Sequence, residues 1–281
     1  MPAPRLLQRI QEISARAGCD AVAVSVYDYE STVRFAFQAG RHFHAASTIK
    51  VALLLALLKA VDEGKVRLGS RLHVRNRFRS VVGDAIFKVS VDRDGDRALH
   101  KRIGRAVPIA ELARAMIVRS SNLATNLLFD FLGRDYIRAV IAEACPGGVD
   151  FQRGVEDDAA FDQGVNNEVT ADGLLALFRL FLEPGCLTER RREAAIEILL
   201  AQEFNGMIPA KLPADVRVAH KTGEISTACH DAGIVFLPER KPYVVAILSS
   251  VSAEDRVRHK VVAEISHLVF QYLTAPAKRH E

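Results

Sequence analysis

Apolar positions along this chain alternate between a helical and a strand-like period, and the alternation marks out its elements. Leu6, Leu7, Ile10 and Ile13 recur at helical spacing until Gly18 ends the run. Ala21–Tyr27 and Val33–Phe37 then alternate in the manner of strands around the polar turn at residues 28–31, which predicts a hairpin. Thr48–Asp62 is apolar nearly all round, as a buried helix is, and stops near Gly64. Residues 69–107 are mixed and basic, with loop signals at Gly83, Asp92–Asp96 and Pro108. Helical runs follow at Ile109–Val118, Leu123–Leu132 and Gly133–Ala144, the last broken by Pro146, Gly147 and Gly148. Val149–Val169 has little periodicity and several acids, and predicts a long functional loop. Thr170 caps a predicted helix to Phe181, and Thr188 one to Gln202. Beyond Asn205, Val216–Lys221, Ala232–Leu237 and Tyr243–Val251 are strand-like, and Val257–Leu273 closes the chain as an amphipathic helix.

Strands thus lie at both ends and helices in the middle. The economical class is α+β: one antiparallel sheet built from both termini, flanked by terminal helices, with an all-helical lobe inserted. The boundaries expected are residues 1–45 and 204–281 for the sheet lobe and 46–203 for the helical lobe, forming one discontinuous catalytic unit. Of the 281 residues 49% are hydrophobic, enough for a large core. The net charge of +4 gathers partly at Arg71, Arg75, Arg77, Arg79, Lys101, Arg102 and Arg105. No interleaved aromatics accompany these residues, so they read as a solvated face rather than a nucleic-acid surface, with a weak pull on anionic substrates left over. Cys19, Cys145, Cys186 and Cys229 form no CxxC pair, so they read as free and mostly buried thiols, and neither a metal nor a cofactor is expected. The most apolar stretch, Val51–Leu58, is too short to span a bilayer, and no membrane partner is expected. No apolar run follows the first ten residues as in a secretory leader. As written the chain is expected in the cytoplasm; a leader already removed would make it periplasmic or secreted. The expected partner is a small-molecule substrate, with a monomer as the default state.

Three short motifs carry candidate chemistry. In Ser47-Thr48-Ile49-Lys50, helical i,i+3 spacing sets an amine beside a hydroxyl. Serine needs such a neighbouring base, and lysine can serve when burial and a second cation favour its neutral form. Ser120-Ser121-Asn122 lies between two helical runs, where hydroxyl and amide groups can point into a cleft; a plain helix cap at Ser121 or Asn122 explains it equally. Lys221-Thr222-Gly223 ends a strand-like run and offers a cation, a hydroxyl and a residue that lets a substrate backbone come close. Each alone is modest, being also an ordinary capped helix, helix cap or strand end.

In this order the motifs resemble those of the class A β-lactamases and penicillin-binding proteins. The likeness runs from about Ala21 to the last helix. It is helped by Met116–Leu128 with Asn126, and by His220–Gly223 followed by Asp231–Ile234. It implies the β-lactamase/transpeptidase fold. It also implies an acyl-enzyme at Ser47, with Lys50 accepting the proton and Ser120 passing one to the leaving nitrogen. Asn122 would hold the substrate's side-chain amide, and Lys221 and Thr222 its carboxylate. Gly223 would allow close approach, and the backbone N–H groups of Ser47 and Glu224 would form the oxyanion hole.

Three departures qualify the likeness. The centre of the middle motif is Ser121 where Ser-Asp-Asn is commoner. The Glu-Pro-x-Leu-Asn pattern that supplies the deacylating base is absent; counting back from Thr170 reaches Glu156, with Asp158 the alternative base and a merely solvated acidic loop the bland explanation. The strand after Lys-Thr-Gly has no arginine for the carboxylate, leaving His230 as a weak substitute. β-Lactam hydrolysis is the expected function. An esterase, amidase or D-alanyl peptidase, or a penicillin-binding module that acylates without turnover, stand as the alternatives.

Overall fold

A computed structural model describes residues 3–252 and 254–275; residues 1, 2, 253 and 276–281, which include both outer ends of the expected sheet lobe, lie outside the described residues. Five strands form one antiparallel sheet: β1 (Ala21–Asp28), β2 (Arg34–Phe37), β3 (Arg217–Ile225), β4 (Ala228–Phe236) and β5 (Tyr243–Ser250). Their order across the sheet is β3-β4-β5-β1-β2. The two chain ends therefore meet in the middle, where β1 pairs with β5 from Ala21↔Ser250 to Asp28↔Tyr243. β3 is left as an edge strand, so one side of the Lys221-Thr222-Gly223 stretch faces away from the sheet.

The sheet is buried on both faces, which explains why its strands read as nearly continuous apolar runs. Alternation within β1 and β5 sorts their side chains between two cores. Val22, Val24, Val26, Tyr243, Val245 and Ile247 pack with Leu6, Ile10 and Ile13 of α1 (Ala3–Arg16) and with Val262, Ile265 and Val269 of the last helix, Asp255–Thr274. Ala21, Ala23, Val244, Ala246 and Leu248 face the larger core. That core centres on α2 (Lys50–Asp62), whose residues from Lys50 to Leu58 are all buried. Each buried leucine there contributes roughly 1.5–3 kcal/mol. Around α2 stand α3 (Ile109–Val118), α4 (Asn122–Leu132), α5 (Arg134–Ala144), α6 (Ala171–Arg179) and α7 (Glu189–Leu200). The last helix is α8 (Asp255–Thr274). Among the described residues, no helix is long and apolar enough to cross a membrane. All four cysteines are free, Cys145 and Cys229 buried and Cys19 and Cys186 partly so.

Local chemistry moves several predicted boundaries. The helix expected from Thr48 opens instead with a 3₁₀ turn, Ala46–Ile49, and becomes α-helical only at Lys50. Thr170 caps α6 through a bond from the Gly173 N–H, 2.9 Å, but α6 ends at Arg179 rather than Phe181. Thr188 precedes α7 without capping it through its side chain: its hydroxyl donates to Asp62 at 2.8 Å, tying α7 to the end of α2. The acidic loop holds a short helix, Asp158–Asp162, and two-residue strands at Val149–Asp150 and Glu168–Val169 that pair with each other.

α6 meets the start of that loop backbone to backbone. A Cβ added at Gly173 would lie 2.1 Å from the carbonyl oxygen of Gly148, with no flexible side chain able to yield. Gly173→Ala, which intrinsic helix propensity favours by about 1 kcal/mol, is expected instead to destabilise the protein by about 1–3 kcal/mol through overpacking. Thermal or urea denaturation of the two proteins measures the difference.

Candidate active site

Ser47 sits in the 3₁₀ turn ahead of α2, and i,i+3 side chains eclipse one another in that helix type. Its hydroxyl therefore lies over the Lys50 amine, 2.9 Å away. The turn is held in a strained form. Ala46 has φ +46°, a left-handed conformation that L-residues rarely adopt. The Ala46 N–H donates to His44 Nδ1 at 3.0 Å, the Ala45 N–H to the Asn167 carbonyl at 2.9 Å, and the Thr48 hydroxyl to the Ala45 carbonyl at 2.6 Å.

The amine of Lys50, wholly buried, reaches four acceptors on two segments far apart in sequence. Besides Ser47 Oγ these are the Ser120 carbonyl at 2.7 Å, Ser120 Oγ at 3.0 Å and Asn122 Oδ1 at 2.7 Å. A tetrahedral nitrogen offers three positions beyond its carbon. A neutral amine fills two with donated bonds and keeps a lone pair for a hydroxyl proton. Burial, and then the neighbouring Lys221, hold Lys50 well below the usual lysine range, while Asp94 and Glu156 pull the other way. Ser47 is half-buried and faces the cleft, with the amine behind it.

Ser120 and Asn122 meet Lys50 because the chain turns sharply between α3 and α4. Ser120 takes φ +55°, and Ser121 is the N-cap of α4, accepting from the Ala124 N–H at 3.2 Å. The simple-cap explanation therefore describes Ser121, while its two neighbours point to Lys50. Lys221 approaches from β3, donating to Ser120 Oγ at 3.0 Å and to the Thr222 carbonyl at 2.8 Å. Burial lowers Lys221 to about 7 despite the opposing charges of Asp231 and Glu224.

Gly223 has a reason other than the expected approach of substrate. A Cβ there would lie 3.0 Å from the Ser47 nitrogen and 2.9 Å from that of Thr48. The residue lets the edge strand close onto the nucleophile turn. Thr222 is buried next to it, while Glu224, Ile225 and Ser226 line the cleft.

The acidic loop forms the opposite wall of a cleft of about 520 Å³. Asn126 pins it like a rung of a sheet, donating to the Val155 carbonyl at 2.8 Å and accepting from the Val155 N–H at 2.9 Å. The next residue, Glu156, takes φ +62° and places Oε1 2.7 Å from Asn122 Nδ2 and Oε2 3.0 Å from the Ser90 N–H. Glu156 is thus built into the Lys50–Asn122 network, and the merely solvated loop is set aside for it. Asp158 lines the cleft at its exposed rim, where that bland explanation still describes it. Asp157, between them, is buried and caps the short helix.

His230 is not brought to the cleft. It is fully buried, its Nε2 donates to the His44 carbonyl at 3.0 Å, and its Nδ1 accepts the Ser249 N–H at 3.2 Å. Burial lowers it to about 4, so it is neutral at ordinary pH and grips no carboxylate. It points inward because β4 has a neighbour on each side and both its faces are covered. The nearest cluster with ligand-type spacing, Glu224, Cys229 and His259, is organised by a 2.6 Å Glu224–His259 ion pair. The Arg258 guanidinium lies 4.0 Å from the same carboxylate, which opposes a bound cation.

Sequence reasoning missed Asp94, Asn126 as a loop anchor, and Asn167. Asn167 accepts the N–H groups of Gln152 and Arg153 and donates to the Arg153 carbonyl. Asp94 and Asn167 lie in segments without periodicity, where that lack of pattern was the only signal; Asn126 lies within a helical run and was visible only as part of the likeness around the second motif.

A family model described as a β-lactamase enzyme family matches residues 5–273. The extended-spectrum β-lactamase PER-1 of Pseudomonas aeruginosa is 26% identical over 245 residues, 82% of this chain and 75% of that protein. β-Lactamase ROB-1 of Haemophilus influenzae is 26% identical over 268 residues, 94% and 81% of the two chains. Among solved structures, a mutant of PBP-A as its acyl-enzyme complex with penicillin G superposes with TM-score 0.81 at 26% identity, covering 97% of each chain. A variant of a reconstructed last common ancestor of Gram-negative class A β-lactamases gives 0.83 at 26% identity, covering 96% and 98%.

The buried lysines make a prediction about stability. An unfolded Lys221 takes up its proton near 10.5 and the folded one only near 7. Between those values the unfolded state binds more protons, so stability falls as pH drops from 10.5 to 7 and the penalty is constant below. Its size is about 5 kcal/mol at most. Urea denaturation is expected to show a shallower rise in stability from pH 7 to 10 for Lys221→Met than for the parent.

Proposed function

This chain belongs to the β-lactamase enzyme family, and we propose that it hydrolyses the cyclic amide of β-lactams through an acyl-enzyme on Ser47. One observation carries the reading: a cleft-facing serine hydroxyl 2.9 Å from a buried amine held toward its neutral form. The names of the relatives, all β-lactamases, support the choice of substrate class. The substrate is a small molecule that the cleft beside Ser47 is large enough to admit.

In this reading Ser47 Oγ attacks the lactam carbonyl carbon as its proton passes to Lys50 Nζ. The oxyanion forms beside the N–H groups of Ser47 and Glu224, each such donor being worth about 3 kcal/mol of barrier. The C–N bond then breaks and the nitrogen takes the Ser120 hydroxyl proton. Ser120 is re-protonated from Lys50, with which it shares a 3.0 Å contact. Asn122 receives the amide of the substrate's side chain. Lys221 and Thr222 receive its carboxylate, and a substrate carboxylate there favours the charged form of Lys221. Water next attacks the ester as Glu156 takes its proton; the tetrahedral intermediate then breaks its bond to Ser47 Oγ, which receives that proton, so that Ser47 and the Glu156 carboxylate are both restored. Glu156 is preferred to Asp158 because its carboxylate is already hydrogen-bonded to Asn122, one residue from Lys50.

Two measurements test this. A chromogenic cephalosporin is expected to be turned over by the parent and not by Ser47→Ala, whose intact mass gains no adduct. Equal rates for the two proteins would overturn the nucleophile. Glu156→Gln is expected to acylate normally and to hold the Ser47 adduct about 10²–10⁴ times longer, whereas Asp158→Asn deacylates like the parent. The reverse pattern would transfer the base to Asp158.

A further inference from the structure

The middle motif has Ser121 where the commoner form has aspartate, yet a carboxylate stands at that turn. It belongs to Asp94, 27 residues earlier, in the loop leading to the short helix Arg97–His100. Asp94 is buried and accepts five hydrogen bonds. Oδ1 takes the Asn122 N–H at 3.0 Å and the Asp96 N–H at 2.9 Å; Oδ2 takes the Leu123 N–H at 2.9 Å, His100 Nε2 at 2.8 Å and, more weakly, the Ser121 hydroxyl at 3.4 Å. The Asn122 and Leu123 N–H groups open α4 and have no partner within it, and the helix dipole favours an anion there.

The two following residues grip the same turn from its other side. Gly95 lies flush on it: an added Cβ would come within 2.0 Å of the Arg119 carbonyl oxygen. Asp96 accepts from Arg119 Nη2 at 2.7 Å. Residues 94–96 thus hold Arg119 through Leu123, and the strained Ser120 lies between the two holds. Displacing the Asn122 backbone would move both its contact to Lys50 and its contact to Glu156, each 2.7 Å.

We propose that Asp94, from a separate loop, is the positioning residue that fixes Ser120 and Asn122 against Lys50. Its hydrogen bonds go to neither Ser47 nor the Lys50 amine; it acts through the α4 N-terminus. The inference rests on the Ser47 acylation reading above.

The test compares the parent with Asp94→Asn, Ser121→Asp and the double variant, following Ser47 acylation by stopped flow with a chromogenic cephalosporin and folding by circular dichroism. Asp94→Asn is expected to slow acylation by about 10–100-fold, the size of effect a displaced reacting group produces. Its acidic limb should also move to lower pH, because Asp94 is one of the charges favouring protonated Lys50. The lost charge alone moves that limb, so positioning is read from the acylation rate and from its recovery in the folded double variant. The double variant, with the carboxylate moved into the motif, is expected to recover most of the rate. Ser121→Asp alone sets two carboxylates together and is expected to be slower than the parent. Parent-like acylation by Asp94→Asn, or a folded double variant as slow as Asp94→Asn, overturns the proposal. Should Asp94→Asn not fold, the double variant decides. A parent that neither turns over the cephalosporin nor forms a Ser47 adduct overturns the proposed function, and this role with it; a parent that acylates with Asp94→Asn unaffected overturns this role alone.

Discussion

The structure around the cleft depends on one buried amine. Lys50 is the first α-helical residue of a helix whose next eight residues, Val51–Leu58, are all apolar and buried, so its nitrogen ends up where a charge is costly. The solution is local: four oxygen acceptors from the Ser47 turn and the Ser120–Asn122 turn surround it. Two segments about seventy residues apart are thereby joined at a single atom. The same burial that demands these partners biases the amine toward the neutral form that can accept a proton. Packing and chemistry are here one constraint.

Three residues at this junction hold left-handed backbone without being glycine: Ala46, Ser120 and Glu156. Such conformations cost on the order of 1–3 kcal/mol each, and they persist where surroundings over-determine them. The surroundings are polar groups, most of them from distant parts of the chain. His44 and the Asn167 carbonyl fix the first turn, Asp94 the second and Asn126 the third. Each strained turn aims one side chain at the cleft, which relaxed turns would not do.

Charge in the cleft is balanced rather than simply positive. Lys221 adds to the lowering of the Lys50 proton affinity, with burial the larger cause, and burial lowers Lys221 itself. Glu156 works against that for Lys50, and Asp231 and Glu224 for Lys221. The absent arginine belongs to the same picture, because the strand position that would carry it points His230 into the core instead.

Periodicity by itself determined the order of elements, the burial of α2, the helical runs from Ile109 to Ala144 and the strands from both ends that share one sheet. These rest on repeated apolar spacing, which is written in adjacent residues and needs no tertiary information. The Ser47, Ser120 and Lys221 motifs were visible for the same reason, as short local patterns in a telling order. Tertiary structure alone decided what those patterns could not hold. Whether Glu156 or Asp158 reaches Asn122 depends on how Asn126 pins a loop without periodicity. Whether His230 faces substrate depends on both faces of β4 being covered. That Asp94 stands where Ser121 offers no carboxylate depends on two loops meeting across space. Each is a contact between residues distant in sequence, made by single hydrogen bonds that leave no repeat in the chain.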